Sequence, residues 1–358
     1  MARYVCIIFI LYIVYPSVNQ AWSCTAFSFS KDGETFVARN YDWRVADGLV
    51  IKNPRGLKKV AYVSGNGQQS KQAHWISRFG SVSFNQYGRE FPAGGMNETG
   101  LVVEGLLVKE ASYPAYDQRG VVQQGQWVQY LLDCYGSVSE VLAAIDTYRI
   151  SPEITPFSRH VFLVDAKGDS AVIEYINGKA VVYTADTLPV TVLTNCAYSV
   201  ALDGLAGNRS NSVDPYESIP RFVRCARQLE RHKLESARNP IKFSFDLLQR
   251  SKWEVPTQWR IVYQPAIQQI HLQSSGSHQI RYLKLTELDF SCTYPAEVQE
   301  IHCDFSGNVH GRFQPYDREL NGQLIKTVVA KTPFLKDITP DMLIPRIVYP
   351  EQADCQGQ

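Results

Sequence analysis

The chain has 358 residues, 45% hydrophobic and 20% charged, and a formal net charge of +1 at pH 7. This is an ordinary globular composition with enough apolar material for a sizeable core. The near-zero charge gives no support to a nucleic-acid or anionic-membrane partner.

The first element is a targeting segment. One positive charge, Arg3, precedes an uninterrupted apolar run from Val5 to Tyr15, which Pro16 breaks. Ala21-Trp22-Ser23 then puts small residues at positions −3 and −1, the pattern a signal peptidase accepts. Residues 1–23 therefore read as a signal peptide and 24–358 as one domain, 358 − 23 = 335 residues long. The expected location is secreted or periplasmic. No second apolar run is long enough to span a bilayer, so no stable membrane anchor is expected after cleavage. Cleavage after Ser23 would make Cys24 the new N-terminus, carrying both a thiol and a free α-amine. A thiol is a nucleophile only as its thiolate, and an α-amine with an ordinary pKa of about 7.7–8.0 can serve as a base. Two rival readings stand beside this one. Cys24 could be half of a disulfide, or the lipidated cysteine of a lipoprotein, although Ala21 at −3 and bulky Trp22 at −2 argue against lipidation.

Alternation over Thr25–Ser30, turn chemistry at Lys31-Asp32-Gly33-Glu34 and a second strand from Thr35 predict a β-hairpin with Cys24 at its free end. Further strands are predicted at Val60–Val63, Ser81–Phe84, Leu101–Leu107, His160–Val164, Ala171–Tyr175 and Lys179–Tyr183. Helical spacing predicts helices over Gln126–Tyr135, from an N-cap at Ser137 onward with Val141, Leu142, Ile145 and Tyr148 on one face, and over about Ile219–Leu234. Strands follow at Trp259–Tyr263, Ile267–Leu272 and Gln279–Leu285. Leu205–Ser212 reads as a loop, and the Pro-rich tail from Pro333 reads as extended packing. The order of strands, helices, strands, helix and strands suggests a layered α+β fold.

Eight cysteines occur, and removing Cys6 with the signal and reserving Cys24 leaves six: Cys134, Cys196, Cys225, Cys292, Cys303 and Cys355. Cys292 and Cys303 flank a short segment and make a plausible disulfide, although six cysteines allow 15 connectivities. His302, Cys303 and His310 fit no standard zinc spacing. No metal and no cofactor is expected. Asn97-Glu98-Thr99 and Asn208-Arg209-Ser210 fit glycosylation sequons, with a structural role preferred for Asn97.

The hairpin sequence Cys24-Thr25-Ala26-Phe27…Val37-Ala38-Arg39-Asn40-Tyr41-Asp42-Trp43 resembles the start of the choloylglycine hydrolase family, N-terminal nucleophile hydrolases that cleave linear amides. The resemblance continues in order at Gly94-Gly95-Met96-Asn97-Glu98-Thr99-Gly100-Leu101, at Val192-Leu193-Thr194-Asn195 and at Ser218-Ile219-Pro220-Arg221-Phe222-Val223-Arg224. It implies a four-layer αββα sandwich of two stacked antiparallel sheets. It also implies that Cys24 attacks an amide carbonyl and forms a thioester, its own α-amine carrying the proton. Arg39 would favour the thiolate, Asp42 would orient the amine, and the Asn195 side chain would donate to the oxyanion. Arg221 would belong to a charge network near the nucleophile. The position after Gly105-Leu106, often Asn in bile salt hydrolases, is Leu107 here. Its backbone N–H would still serve the oxyanion hole, but the side-chain polar group is gone, which puts bile salt specificity in doubt.

Tyr41, Trp43, Phe84, Tyr87, Phe91, Trp127 and Tyr130 are candidates for an apolar acyl pocket. The expected partner is a small-molecule acyl amide: an N-acyl amino acid, bile salt conjugate, penicillin V-like amide or N-acyl homoserine lactone. Homo-oligomerisation is left open. An N-acyltransferase of the same superfamily, or a disulfide-stapled binding protein with an inactive site, are the alternatives.

Overall fold

The computed structural model describes residues 23–63, 71–153, 157–208, 217–233, 239–252 and 255–356. The signal segment lies outside the described residues, apart from Ser23. The predicted N-terminal hairpin is present as β1 (Thr25–Lys31) and β2 (Glu34–Asp42). Asp32 and Gly33 both adopt positive φ, 52° and 82°, the paired left-handed conformation of a type I′ turn whose twist matches that of the flanking strands. The register places Thr25 opposite Asn40 and Ala26 opposite Arg39, so the start of β1 lies beside the end of β2 that carries Arg39 and Asp42.

Two large sheets stack. In the first the order is Val192–Leu193, β1, β2, Thr257–Gln264, Gln269–Ser274, Ser277–Lys284 and Gly307–Asn308. In the second it is Lys179–Thr184, Ser170–Ile176, Ser158–Val164, Val102–Val108, Pro92–Asn97, Ser81–Asn85, β3 (Leu49–Asn53), Glu297–Glu300 and Gln314–Pro315. All pairings within the two sheets are antiparallel except the two-residue parallel contact of Arg281 and Tyr282 with Gly307 and Asn308. Helix α1 (Trp127–Cys134) covers the outer face of the second sheet, and α2 (Val138–Ala143) follows it, Ser137 capping α2 by accepting from Glu140 N at 3.2 Å. Beyond α3 (Tyr198–Leu205), α4 (Ser218–Lys233) and α5 (Pro240–Arg250) cover the first sheet. Phe29, Phe36 and Phe243 fill the space beneath these two helices. The result is the expected αββα sandwich, with its deepest core between the sheets.

Several local expectations are corrected. The strand expected at Val60–Val63 runs instead over Leu57–Val60, and Ile267 closes a 3₁₀ turn before the strand Gln269–Ser274. α2 ends at Ala143, so Tyr148 opens a strand rather than joining a helical face. The tail from Pro333 is helical rather than extended: after α6 (Arg318–Lys331), a 3₁₀ turn at Pro333–Leu335 leads to α7 (Pro340–Val348), which packs back against α6, and Pro345 lies inside α7. Asn97 is buried, and its side chain donates to Leu132 O at 2.9 Å and Tyr135 O at 2.8 Å, so it is a structural residue.

The Cys292–Cys303 pairing is also overturned, because Cys292 bonds Cys355. The final strand, Asp354–Cys355, pairs with Leu57–Val60, and Gln356 N donates to Gly56 O at 2.8 Å, which carries Cys355 to the loop that holds Cys292. The Cys303 sulfur instead accepts from Arg281 Nη1 at 3.0 Å and Gln299 Nε2 at 2.9 Å. The Cys292–Cys355 bridge closes a loop of 63 residues in sequence separation. Cys292→Ser should therefore lower unfolding stability by about 2–4 kcal/mol. Denaturant titration of oxidised protein tests this, and an unchanged midpoint would contradict it.

Candidate active site

Cys24 is buried at the entry to β1. Arg39 projects from the adjacent strand into the space between the sheets. Its Nη2 lies 3.8 Å from Cys24 Sγ and 3.0 Å from Gly105 O, and its Nη1 donates to Ala93 O at 2.7 Å. The same Nη1 forms an ion pair with Glu104, which stands on the opposing sheet and also accepts from Tyr263 Oη. Burial works against the Arg39 charge, but Glu104 and the Cys24 sulfur outweigh it and hold its pKa above the ordinary value. Gly94 is required beside this pair, since a Cβ there would collide with the Glu104 carboxylate.

Arg221, in the first turn of α4, reaches the backbone on the other side of Cys24. Its Nη1 donates to Ser23 O and Cys24 O, both at 2.6 Å, and to Thr25 Oγ1 at 2.7 Å. Its Nη2 donates to Asn195 Oδ1 at 3.1 Å, and Asn195 Nδ2 donates in turn to Leu107 O at 2.8 Å. Burial lowers the Arg221 pKa, with Asp42 and Cys24 opposing. Asp42 accepts from Thr257 Oγ1 at 2.6 Å and from Ser23 Oγ at 3.3 Å, which sets its carboxylate beside the peptide joining Ser23 to Cys24.

Leu107 sits opposite Arg159 in the ladder. Arg159 N donates to Tyr113 Oη at 2.7 Å rather than to Leu107, so this is a pair that exchanges no ladder bonds. The N–H and C=O of Leu107 consequently face the side where Asn195 stands. The structure thus brings together Cys24, Arg39, Asp42, Asn195, Arg221 and Leu107. Sequence reasoning missed Glu104; the only signal was one carboxylate inside the otherwise apolar strand Val102–Val108.

A pocket opens over Cys24 and Arg39. Tyr41, Trp43, Tyr87 and Phe91 line it as expected. Phe84 does not: it is buried between the sheets against Tyr263, with ring centroids 6.2 Å apart. Trp127 and Tyr130 belong to the α1 layer. The rest of the wall includes Phe157, Phe334, Leu335 and Met342, most of it supplied by the C-terminal helices and the turn between them.

Residues 24–207 match the model of the linear amide C–N hydrolases, choloylglycine hydrolase family. The chain belongs to that family and is a hydrolase acting on linear amide carbon–nitrogen bonds. It is 26% identical to a penicillin V acylase of Pectobacterium atrosepticum, covering 78% of this chain and 85% of that one. Among solved structures it resembles a penicillin V acylase from Agrobacterium tumefaciens, with TM-score 0.68, 24% identity and coverage of 82% and 98%. It also resembles a conjugated bile acid hydrolase from Clostridium perfringens, with TM-score 0.63, 18% identity and coverage of 79% and 98%. These two likenesses show a shared fold.

In the uncleaved chain, burial pushes the Asp42 carboxyl up from 3.8 to about 6, only partly offset by its bond from Thr257. The folded state then holds more protons than the unfolded state between these values. The Asp42 contribution to the stability of the uncleaved chain should therefore fall as pH rises from about 4 through 6 and level off above. Burial also raises the Glu104 and Asp133 carboxyls, so the test is the difference between two proteins: urea titrations across that range should show a steeper decline in the wild type than in Asp42→Asn. Equal slopes in the two would refute the assignment.

Proposed function

We propose that cleavage after Ser23 exports the protein to a periplasmic or extracellular space and exposes Cys24 as an N-terminal nucleophile. The observation that carries this reading is the convergence of two buried arginines on one cysteine at the floor of an apolar pocket. Arg39 faces the sulfur, and Arg221 holds the Cys24 carbonyl. With the preceding peptide gone, the new α-amine would stand beside Asp42, a carboxylate able to hold and orient it.

In the proposed reaction the Cys24 thiol loses its proton to the α-amine, directly or through one water, and Arg39 stabilises the thiolate. The sulfur attacks the amide carbonyl, forming a carbon–sulfur bond and moving an electron pair onto oxygen. The Leu107 N–H and the second Asn195 Nδ2 hydrogen are the donors proposed for that oxyanion. Arg221 keeps Asn195 in place through its Oδ1. Collapse breaks the carbon–nitrogen bond, and the α-amine returns its proton to the departing amine. Water, deprotonated by the same amine, then hydrolyses the thioester and restores the thiol.

The aromatic and aliphatic wall suits an apolar acyl group. The apolar Leu107 side chain beside the proposed oxyanion hole favours acyl amides other than bile salt conjugates. Exported protein should begin at Cys24 by N-terminal sequencing and should hydrolyse members of a panel of acyl amides. Cys24→Ala should lower turnover by about 10³-fold or more while leaving the fold intact by circular dichroism. A mature chain starting elsewhere, or undiminished turnover in the variant, would sink this reading.

A further inference from the structure

The pocket over Cys24 contains three guanidinium groups, and two of them are matched. Arg39 is paired with Glu104, and Arg346 stands 3.3 Å from Glu153 while its guanidinium lies over the Phe91 ring. Arg159 is different. It is half-buried and lines the pocket, and Nη1 donates to Pro92 O at 3.1 Å. Among the described residues no carboxylate lies within ion-pair distance of it.

Its position is set by the sheet. Because Arg159 and Leu107 form a cross-strand pair without ladder bonds, their side chains leave the same face at close spacing. The Arg159 stem runs beside Gly105, whose carbonyl accepts from Arg39. Arg159 is thereby held opposite Leu107 and beside Gly105, lining the same pocket as Cys24. A guanidinium with one Nη1 bonded to a backbone carbonyl still presents further N–H groups in a planar fork suited to a carboxylate. An excess positive charge at the edge of an apolar cavity is costly unless water or a ligand anion offsets it.

We infer that Arg159 is a specificity-determining residue that binds an anionic group, a carboxylate, on the leaving amine of the substrate. The apolar wall takes the acyl chain, and Arg159 takes the opposite end. This rests on the hydrolytic reading above and narrows it: N-acyl amino acids are favoured over neutral amides such as N-acyl homoserine lactones.

The test fixes the acyl group as the one best turned over in the amide panel and presents it as the N-acylglycine and as the matching N-acylglycinamide. These differ in charge at one position. The wild-type enzyme should favour the acid by roughly 30-fold or more in kcat/KM, with most of the difference in KM. Arg159→Gln should shrink that acid-to-amide ratio by about 30-fold, and Arg159→Lys should retain part of it. If Arg159→Gln does not fold, the wild-type ratio and the Arg159→Lys ratio carry the test. A wild-type ratio near one, or a ratio that Arg159→Gln leaves unmoved, overturns this inference while the hydrolase stands. No turnover of any amide in the panel overturns both.

Discussion

The ion pair between Arg39 and Glu104 is the constraint on which the site depends. Both groups are buried between the two sheets. A charge in that position is strongly destabilising unless it is paired and hydrogen-bonded, and removing one partner of such a pair costs about 3–5 kcal/mol. The surroundings answer this requirement: Tyr263 donates to Glu104, the Ala93 and Gly105 carbonyls accept from Arg39, and Gly94 leaves room for the carboxylate. One interaction therefore links the sheets and fixes a positive charge facing the Cys24 sulfur.

Arg221 makes the complementary link from the outer helical layer. It enters from the first turn of α4 and ties the start of β1 to Asn195, which in turn holds the Leu107 carbonyl. Through this chain Cys24, the Asn195 side chain and the strand bearing Leu107 are positioned together. Its guanidinium donates to the Ser23 and Cys24 carbonyls, to the Thr25 and Ser218 hydroxyls and to the Asn195 amide oxygen, so one buried cation ties the entry of β1 to α4 and to the residue after Thr194.

Much of the hairpin was legible because its signals are local. Alternation in Thr25–Ser30 and the Asp32-Gly33 turn need no knowledge of the rest of the fold. Arg39, Asp42, Asn195 and Arg221 were found through motif blocks, and the structure gathers them. What was hidden depends on distant segments. Glu104 gains its importance only from Arg39 on another sheet, and Arg159 only from its register opposite Leu107. The disulfide partner of Cys292 is set by the pairing of the last strand with Leu57–Val60, which spacing in the chain does not reveal. The C-terminal wall was misread because Pro333, Pro340 and Pro345 suggested an extended tail. Two start signals were present even so: Asp317 caps α6, and Pro340 occupies the first turn of α7, where proline is well tolerated. Likewise Asn239-Pro240 marks the start of α5, with the Asn239 side chain accepting from Lys242 N at 3.0 Å. Trp127 and Tyr130 were assigned to the pocket on residue type alone, and only the packing of α1 against the outer face of its sheet removes them.

The most direct measurement is acid-quenched peptide mapping by mass spectrometry during turnover of an acyl amide. The account predicts an adduct equal to the acyl group on the peptide whose first residue is Cys24, labile to hydroxylamine as a thioester is, with the α-amine itself unmodified. Turnover accompanied by an acyl adduct on another residue, or an acyl group on the Cys24 α-amine, would contradict it.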